Sequence, residues 1–166
     1  MRSAPIVLLL APALVPTPIG VGPRYHPPPG VHAACLPGAL TGAPRVHLEL
    51  FADRRVVIVP AAIGLRGARF DLGRVTAARC RARVWTTDPT GVVGFAGAGT
   101  LGDVFAVWGQ ALGPARLASF DGAVSVFRNG HRVRGDPRRL PLRDGDELVL
   151  EVGGFVQPHR SYRFPP

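Results

Sequence analysis

The stretch Thr100-Leu101-Gly102-Asp103-Val104-Phe105-Ala106-Val107-Trp108-Gly109 decides which class of fold this chain can adopt. Thr100 suits an N-cap, and Asp103 stands three residues on, where a capping-box acid belongs. Leu101, Val104, Phe105 and Trp108 recur at i, i+3, i+4 and i+7, which puts one apolar stripe along a short helix. Gly109 fits the left-handed position that ends it. At this spacing Trp108 reads as core rather than as a ligand-stacking residue.

Outward from that helix, the remaining signals are strands. Upstream, Arg45 to Phe51 alternates, with Val46, Leu48 and Leu50 on one face and His47 and Glu49 on the other. Ala52 to Arg55 makes a turn, and Val56-Val57-Ile58-Val59 is β-branched, so the two runs form a hairpin. Ala61 to Ala78 is punctuated by glycine and reads as loop. Cys80 to Thr86 reads as one strand, Thr87 to Gly91 as a turn and Val92 to Phe95 as the partner strand. Gly97-Ala98-Gly99, before the helix, reads as a flexible link rather than a phosphate cradle, because neither the lysine nor a parallel βαβ setting accompanies it. Downstream, Val124 to Phe127 and His131 to Val133 flank Asn129-Gly130, a strong two-residue hairpin signal. Glu147 to Val152 is a further alternating strand, and Phe155 to Phe164 is a loose tail or an edge strand. One helix on a mostly antiparallel or mixed sheet is an α+β fold. The element order, hairpin, helix, hairpin, strand, is also that of a β-grasp, with residues 61–96 as an inserted strand pair.

Composition and charge narrow the function. The chain has 166 residues, 46% of them hydrophobic, enough for a single domain. The domain is expected over 45–166. Its net charge is +9, and all 20 basic residues are arginine. Alanine, glycine, proline and arginine dominate, as GC-rich codons would dictate. The arginines are scattered, acids stand near several of them, and aromatic stacking partners are scarce, so a solvated basic surface is favoured over a specific nucleic-acid site. Met1-Arg2 precedes a run of apolar residues over 4–15, the layout of a secretory signal. Pro5 and Pro12 spoil that run as a membrane helix. Residues 1–22 are therefore read as a signal peptide or a retained N-terminal anchor, with membrane association through 4–15 in the second case. Residues 23–44 are read as a Pro/Gly-rich linker, since ten of the 18 prolines fall in the first 44 residues. Tyr25, His26 and His32 lie there without evident chemistry. The two cysteines, Cys35 and Cys80, are too few for a tetrathiolate zinc site or a disulfide scaffold. In an oxidising compartment they are expected to form one disulfide, with lipid attachment at Cys35 as the alternative.

Three motifs together carry a family resemblance: Thr86-Thr87-Asp88-Pro89-Thr90-Gly91-Val92-Val93, the Thr100 to Gln110 helix, and Asn129-Gly130 with Gly135-Asp136-Pro137-Arg138-Arg139-Leu140-Pro141-Leu142. From about Arg45 to Phe164 the chain resembles an uncharacterised family of exported bacterial and archaeal proteins. The resemblance implies a histidine-rich strand, a second histidine-bearing turn and one further histidine, a set able to bind a transition metal. At those positions this chain has Arg45, His47 and Glu49, then Trp85, Thr87 and Asp88, then Gly94. His47, Glu49 and Asp88 are left as a weak polar remnant, and no metal or other cofactor is expected.

Nor is catalysis. Ser119, Ser125 and Ser161 lack the glycines of a nucleophile elbow, and Asp144, Asp146 and Glu147 are explained by a turn leading into a strand. The expected function is a non-catalytic exported domain of the cell envelope, a binding or structural module whose ligand and partner the sequence does not name. The alternatives are a metal-handling protein with a degenerate histidine site and an arginine-driven binder of nucleic acid or anionic lipid.

Overall fold

The structure, a computed structural model, describes residues 35–165, so the expected leader or anchor and the first part of the linker lie outside it. Strand β1 (Arg45–Ala52) turns through Asp53 and Arg54 into β2 (Arg55–Val57), which is the expected hairpin. The stretch read as loop contains three short strands, β3 (Leu65–Arg66), β4 (Arg69–Asp71) and β5 (Arg74–Ala77). Strands of two to four residues are too short for a period-2 pattern to declare itself. The strand expected over Cys80–Thr86 is in fact two. β6 (Cys80–Arg81) pairs with β3, and β7 (Val84–Thr86) pairs with β8 (Val92–Phe95). The break falls where the Ala82 amide donates to the Gly64 carbonyl and the Arg83 carbonyl accepts from Ala96.

Helix α1 (Leu101–Trp108) has the expected caps. The Thr100 hydroxyl accepts from the Asp103 amide, the Asp103 carboxylate accepts from the Thr100 amide, and Gly109 takes the left-handed conformation. A small meander of β9 (Leu112–Gly113), β10 (Arg116–Leu117) and β11 (Phe120–Asp121) follows. Then come the Asn129-Gly130 hairpin of β12 (Val124–Arg128) and β13 (His131–Val133), a 3-10 turn at Pro137–Arg139, and β14 (Glu147–Val152).

The main sheet runs β13-β12-β14-β1, and β1 and β14 at its centre are parallel. The far edge of β1 is divided. Its C-terminal half pairs with β2, and its N-terminal half with β8, which carries β7 outside it. Without the inserted pair the order is β13-β12-β14-β1-β2, the β-grasp order that the element sequence suggested.

The apolar stripe of α1 packs on one face of this sheet, against Val46, Leu48, Leu50, Val93, Val126, Leu148 and Leu150. All four stripe residues are buried, and burying each large apolar side chain stabilises the fold by about 1.5–3 kcal/mol. Trp108 is core, as its spacing indicated. β14 is buried along its whole length, although its sequence alternates. The reason lies on the second face, which is covered by the C-terminal tail. Residues 153–165 form no strand, so the edge-strand reading is corrected: Phe155 packs edge-on to Phe127, the Val156 amide donates to Glu151, and Tyr162 and Phe164 reach β1.

Residues 35–44, the described end of the expected linker, are docked on the domain. Cys35 and Cys80 form a disulfide with their Cα atoms 5.2 Å apart. Leu36 exchanges backbone hydrogen bonds with Arg81, and the Trp85 indole N–H donates to the Leu40 carbonyl.

Candidate functional site

Parallel pairing of β1 with β14 sets His47 opposite Glu147. Both side chains leave the sheet on the face under the tail, because alternation sends Leu48 and Leu148 to the helix side. His47 Nδ1 lies 2.8 Å from Glu147 Oε2, and Nε2 lies 2.8 Å from the Thr90 carbonyl. A carbonyl can only accept, so Nε2 carries a hydrogen and Nδ1 faces the carboxylate. Burial opposes charge on His47, but Glu147 outweighs it, with help from Thr90 and Glu49, and raises the imidazole above its usual 6.5. Burial also pushes Glu147 above its usual 4.5, and His47 offsets only part of that. One proton is held between the two side chains.

Local sequence features fix this pair in place. Gly91, at φ +85°, lets the turn before β8 come close: a Cβ there would stand 2.4 Å from the Leu48 carbonyl oxygen and 3.2 Å from His47 Nε2. Asp88 stabilises the same turn by accepting from the Thr90 amide and hydroxyl and from Arg74. On the other side, Asn129 at the hairpin turn accepts from the Glu147 amide and donates its own amide to the Glu147 carbonyl, both at 2.8 Å.

Glu49 lies two residues along the same face of β1. The tail brings His159 to it, with Nδ1 2.9 Å from both carboxylate oxygens, and stacks the Tyr162 ring on the His47 ring at 3.7 Å and 12°. Ligand atoms of His47, Glu49 and Glu147 all lie within 4.8 Å of one another. Glu147 Oε1 is buried and has no hydrogen-bond partner among the described residues. A cleft of about 140 Å³, lined by His47, Glu49, Thr90, Gly91 and β2, opens beside the cluster where the edge of β1 passes from β8 to β2.

Of the three residues in the expected remnant, the structure brings together His47 and Glu49. Asp88 does not join them; it supports Thr90 from behind. Glu147, read as part of an acidic turn, belongs to the cluster, and His159, read as part of a loose tail, meets it at Glu49 from an exposed position. The parallel register and the path of the tail place them there, and neither has a local sequence signal. At the positions where the resemblance implies further histidines, the Trp85 indole lies flat against Gly94 and carries the Arg81 guanidinium 4.0 Å above it. That corner is filled by the indole and the guanidinium.

No protein-family model, curated protein or solved structure matches the chain. Fold and site together define a disulfide-closed α+β domain with β-grasp strand order and a buried histidine–carboxylate cluster beneath its C-terminal tail.

Proposed function

We propose that the protein is an exported, non-catalytic domain of the cell envelope that binds a divalent transition-metal ion between β1, β14 and the tail. The observation that carries this reading is the uncompensated oxygen of Glu147, buried beside an imidazole nitrogen and a second carboxylate. A buried carboxylate oxygen without a partner costs about 1–3 kcal/mol or more, and a cation bound there removes that cost. The donor set of imidazole and carboxylates suits zinc, manganese or ferrous iron better than soft cuprous ion. His47, Glu49 and Glu147 would hold the ion, and His159 would orient Glu49 from the tail. The Nε2–H bond to Thr90 is the outer-shell contact that commonly orients a ligating histidine. This reading replaces the expectation of no metal, which did not include Glu147 or His159.

The disulfide supports export, since such bonds persist in oxidising compartments. A non-catalytic role is supported by the closed position of His47, its ring under Tyr162 and its Nε2–H on the Thr90 carbonyl. The test is calorimetric titration of zinc and manganese into chelator-treated protein, with His47→Gln and Glu147→Gln alongside. Stoichiometric binding that each variant weakens at least tenfold is expected. Absence of binding, or equal binding by the variants, would overturn the proposal.

A further inference from the structure

The β4–β5 hairpin ends in a two-residue turn, Leu72-Gly73, with positive φ at both positions, 45° and 81°. Asn129-Gly130 adopts nearly the same geometry, 51° and 78°, with residues suited to it. Leucine is poorly suited to a left-handed position, because its side chain crowds its own backbone. Packing does not compensate, since Leu72 is fully exposed and Phe70 beside it is 52% exposed. Stability of the domain therefore does not explain leucine at this turn. A local conflict of this kind points to a demand from outside the fold.

We propose that this hairpin docks the domain on an anionic phospholipid surface, with Leu72 and Phe70 entering the bilayer interface. The charge around the tip fits that partner. Arg69 and Arg74 on the hairpin and Arg79 just beyond its base are all exposed, and Asp71 is the one carboxylate of the hairpin. Arg74 pairs with Asp71 directly behind the turn, and Arg69 lies three residues before Leu72, roughly 10 Å back at about 3.4 Å per residue. That is the depth of the headgroup layer when an apolar tip reaches the acyl boundary, about 5–10 Å down. The hairpin is held close behind its turn: Val75 is buried, its amide donates to the Thr87 carbonyl at 2.7 Å, and Arg74 is tied to Asp88. The turn residues Leu72 and Gly73 thus stand just outside a firmly held edge. No helix among the described residues is long and apolar enough to cross a membrane. A nucleic acid is a poorer fit, because Leu72, the most exposed residue of the tip, offers no ring for a base to stack on, and Phe70 behind it is half covered. This inference is independent of the metal-site reading.

The experiment is co-sedimentation of the full chain with vesicles of phosphatidylglycerol in phosphatidylcholine, and with phosphatidylcholine alone. Any contribution from residues 4–15 is common to every variant. Wild-type protein is expected to bind the anionic vesicles in preference, and added salt to weaken the binding. Leu72→Glu should weaken it at least tenfold, and Arg69→Gln with Arg79→Gln should do likewise, at about fivefold per charge. Leu72→Trp should retain binding and shift its emission to the blue on vesicles. Thermal unfolding confirms that these surface variants fold. Equal binding to both vesicle types, unchanged binding by Leu72→Glu, no blue shift at Trp, or tighter binding to duplex DNA than to vesicles would each overturn the proposal.

Discussion

Replacing Glu147 with leucine tests the pairing at the centre of the site. His47 and Glu147 are nearly inaccessible, with side-chain exposures of 6% and 1%. Glu147→Leu leaves an imidazole nitrogen buried without its partner. Breaking a buried ionic pair from one side costs about 3–5 kcal/mol. For a domain of this size that lowers the melting temperature by roughly 10 °C or more. His47→Leu strands the carboxylate instead and should cost a similar amount. The double variant removes both polar groups and leaves apolar volume under Tyr162, where a hydrophobic replacement is often close to neutral. It should therefore be more stable than either single variant, with a coupling energy of about 2 kcal/mol or more. Urea denaturation of the four proteins, with chelator present throughout, gives the cycle. Additive losses, or a Glu147→Leu effect below about 0.5 kcal/mol, would show that the pair is not formed and would remove the basis of the site.

Three further outcomes follow from the structure. Replacing Cys35 and Cys80 with serine opens a loop spanning a sequence separation of 45 and should cost about 4 kcal/mol by the chain-entropy estimate, read from urea midpoints against the oxidised wild type. Burial raises the Asp88 carboxyl, but its bonds from Thr90 and Arg74 outweigh that and hold it below its usual 3.8. Its contribution is therefore complete above that value and is lost as pH falls through the lower folded one. Asp88→Asn should cost about 1.5–3 kcal/mol near neutrality, and the gap from wild type should shrink when the urea midpoints are repeated in acid. Gly94→Ala sets a Cβ 2.7 Å from the Trp85 ring, so the indole must leave its place between Leu40 and Arg81. Overpacking of this kind costs about 1–3 kcal/mol, and it should appear together with a change in the near-ultraviolet signal of Trp85.

What could be read from the sequence was local. The α1 stripe with its caps, the β1–β2 and Asn129-Gly130 hairpins, and the β7–β8 pairing each depend on residues within about ten positions of one another, and periodicity or turn chemistry encodes them directly. The order of those elements also pointed to a β-grasp arrangement. The short strands β3 to β5 were not readable, because two to four residues cannot show a period. Nor was the break between β6 and β7, which the Gly64 carbonyl imposes from a distant turn. The disulfide was expected from cysteine count and compartment, and its geometry is a property of the fold. The site itself was only half visible. His47 and Glu49 share one strand face and could be paired from alternation. Glu147 is a hundred residues from His47 and meets it only because β1 and β14 lie parallel and in register. His159 meets Glu49 only because the tail doubles back across the sheet. Contacts between distant segments are selected by the packing of the whole chain, so tertiary structure alone decided that a polar strand face and an acidic turn meet as a buried pair with an exposed histidine of the tail at its margin.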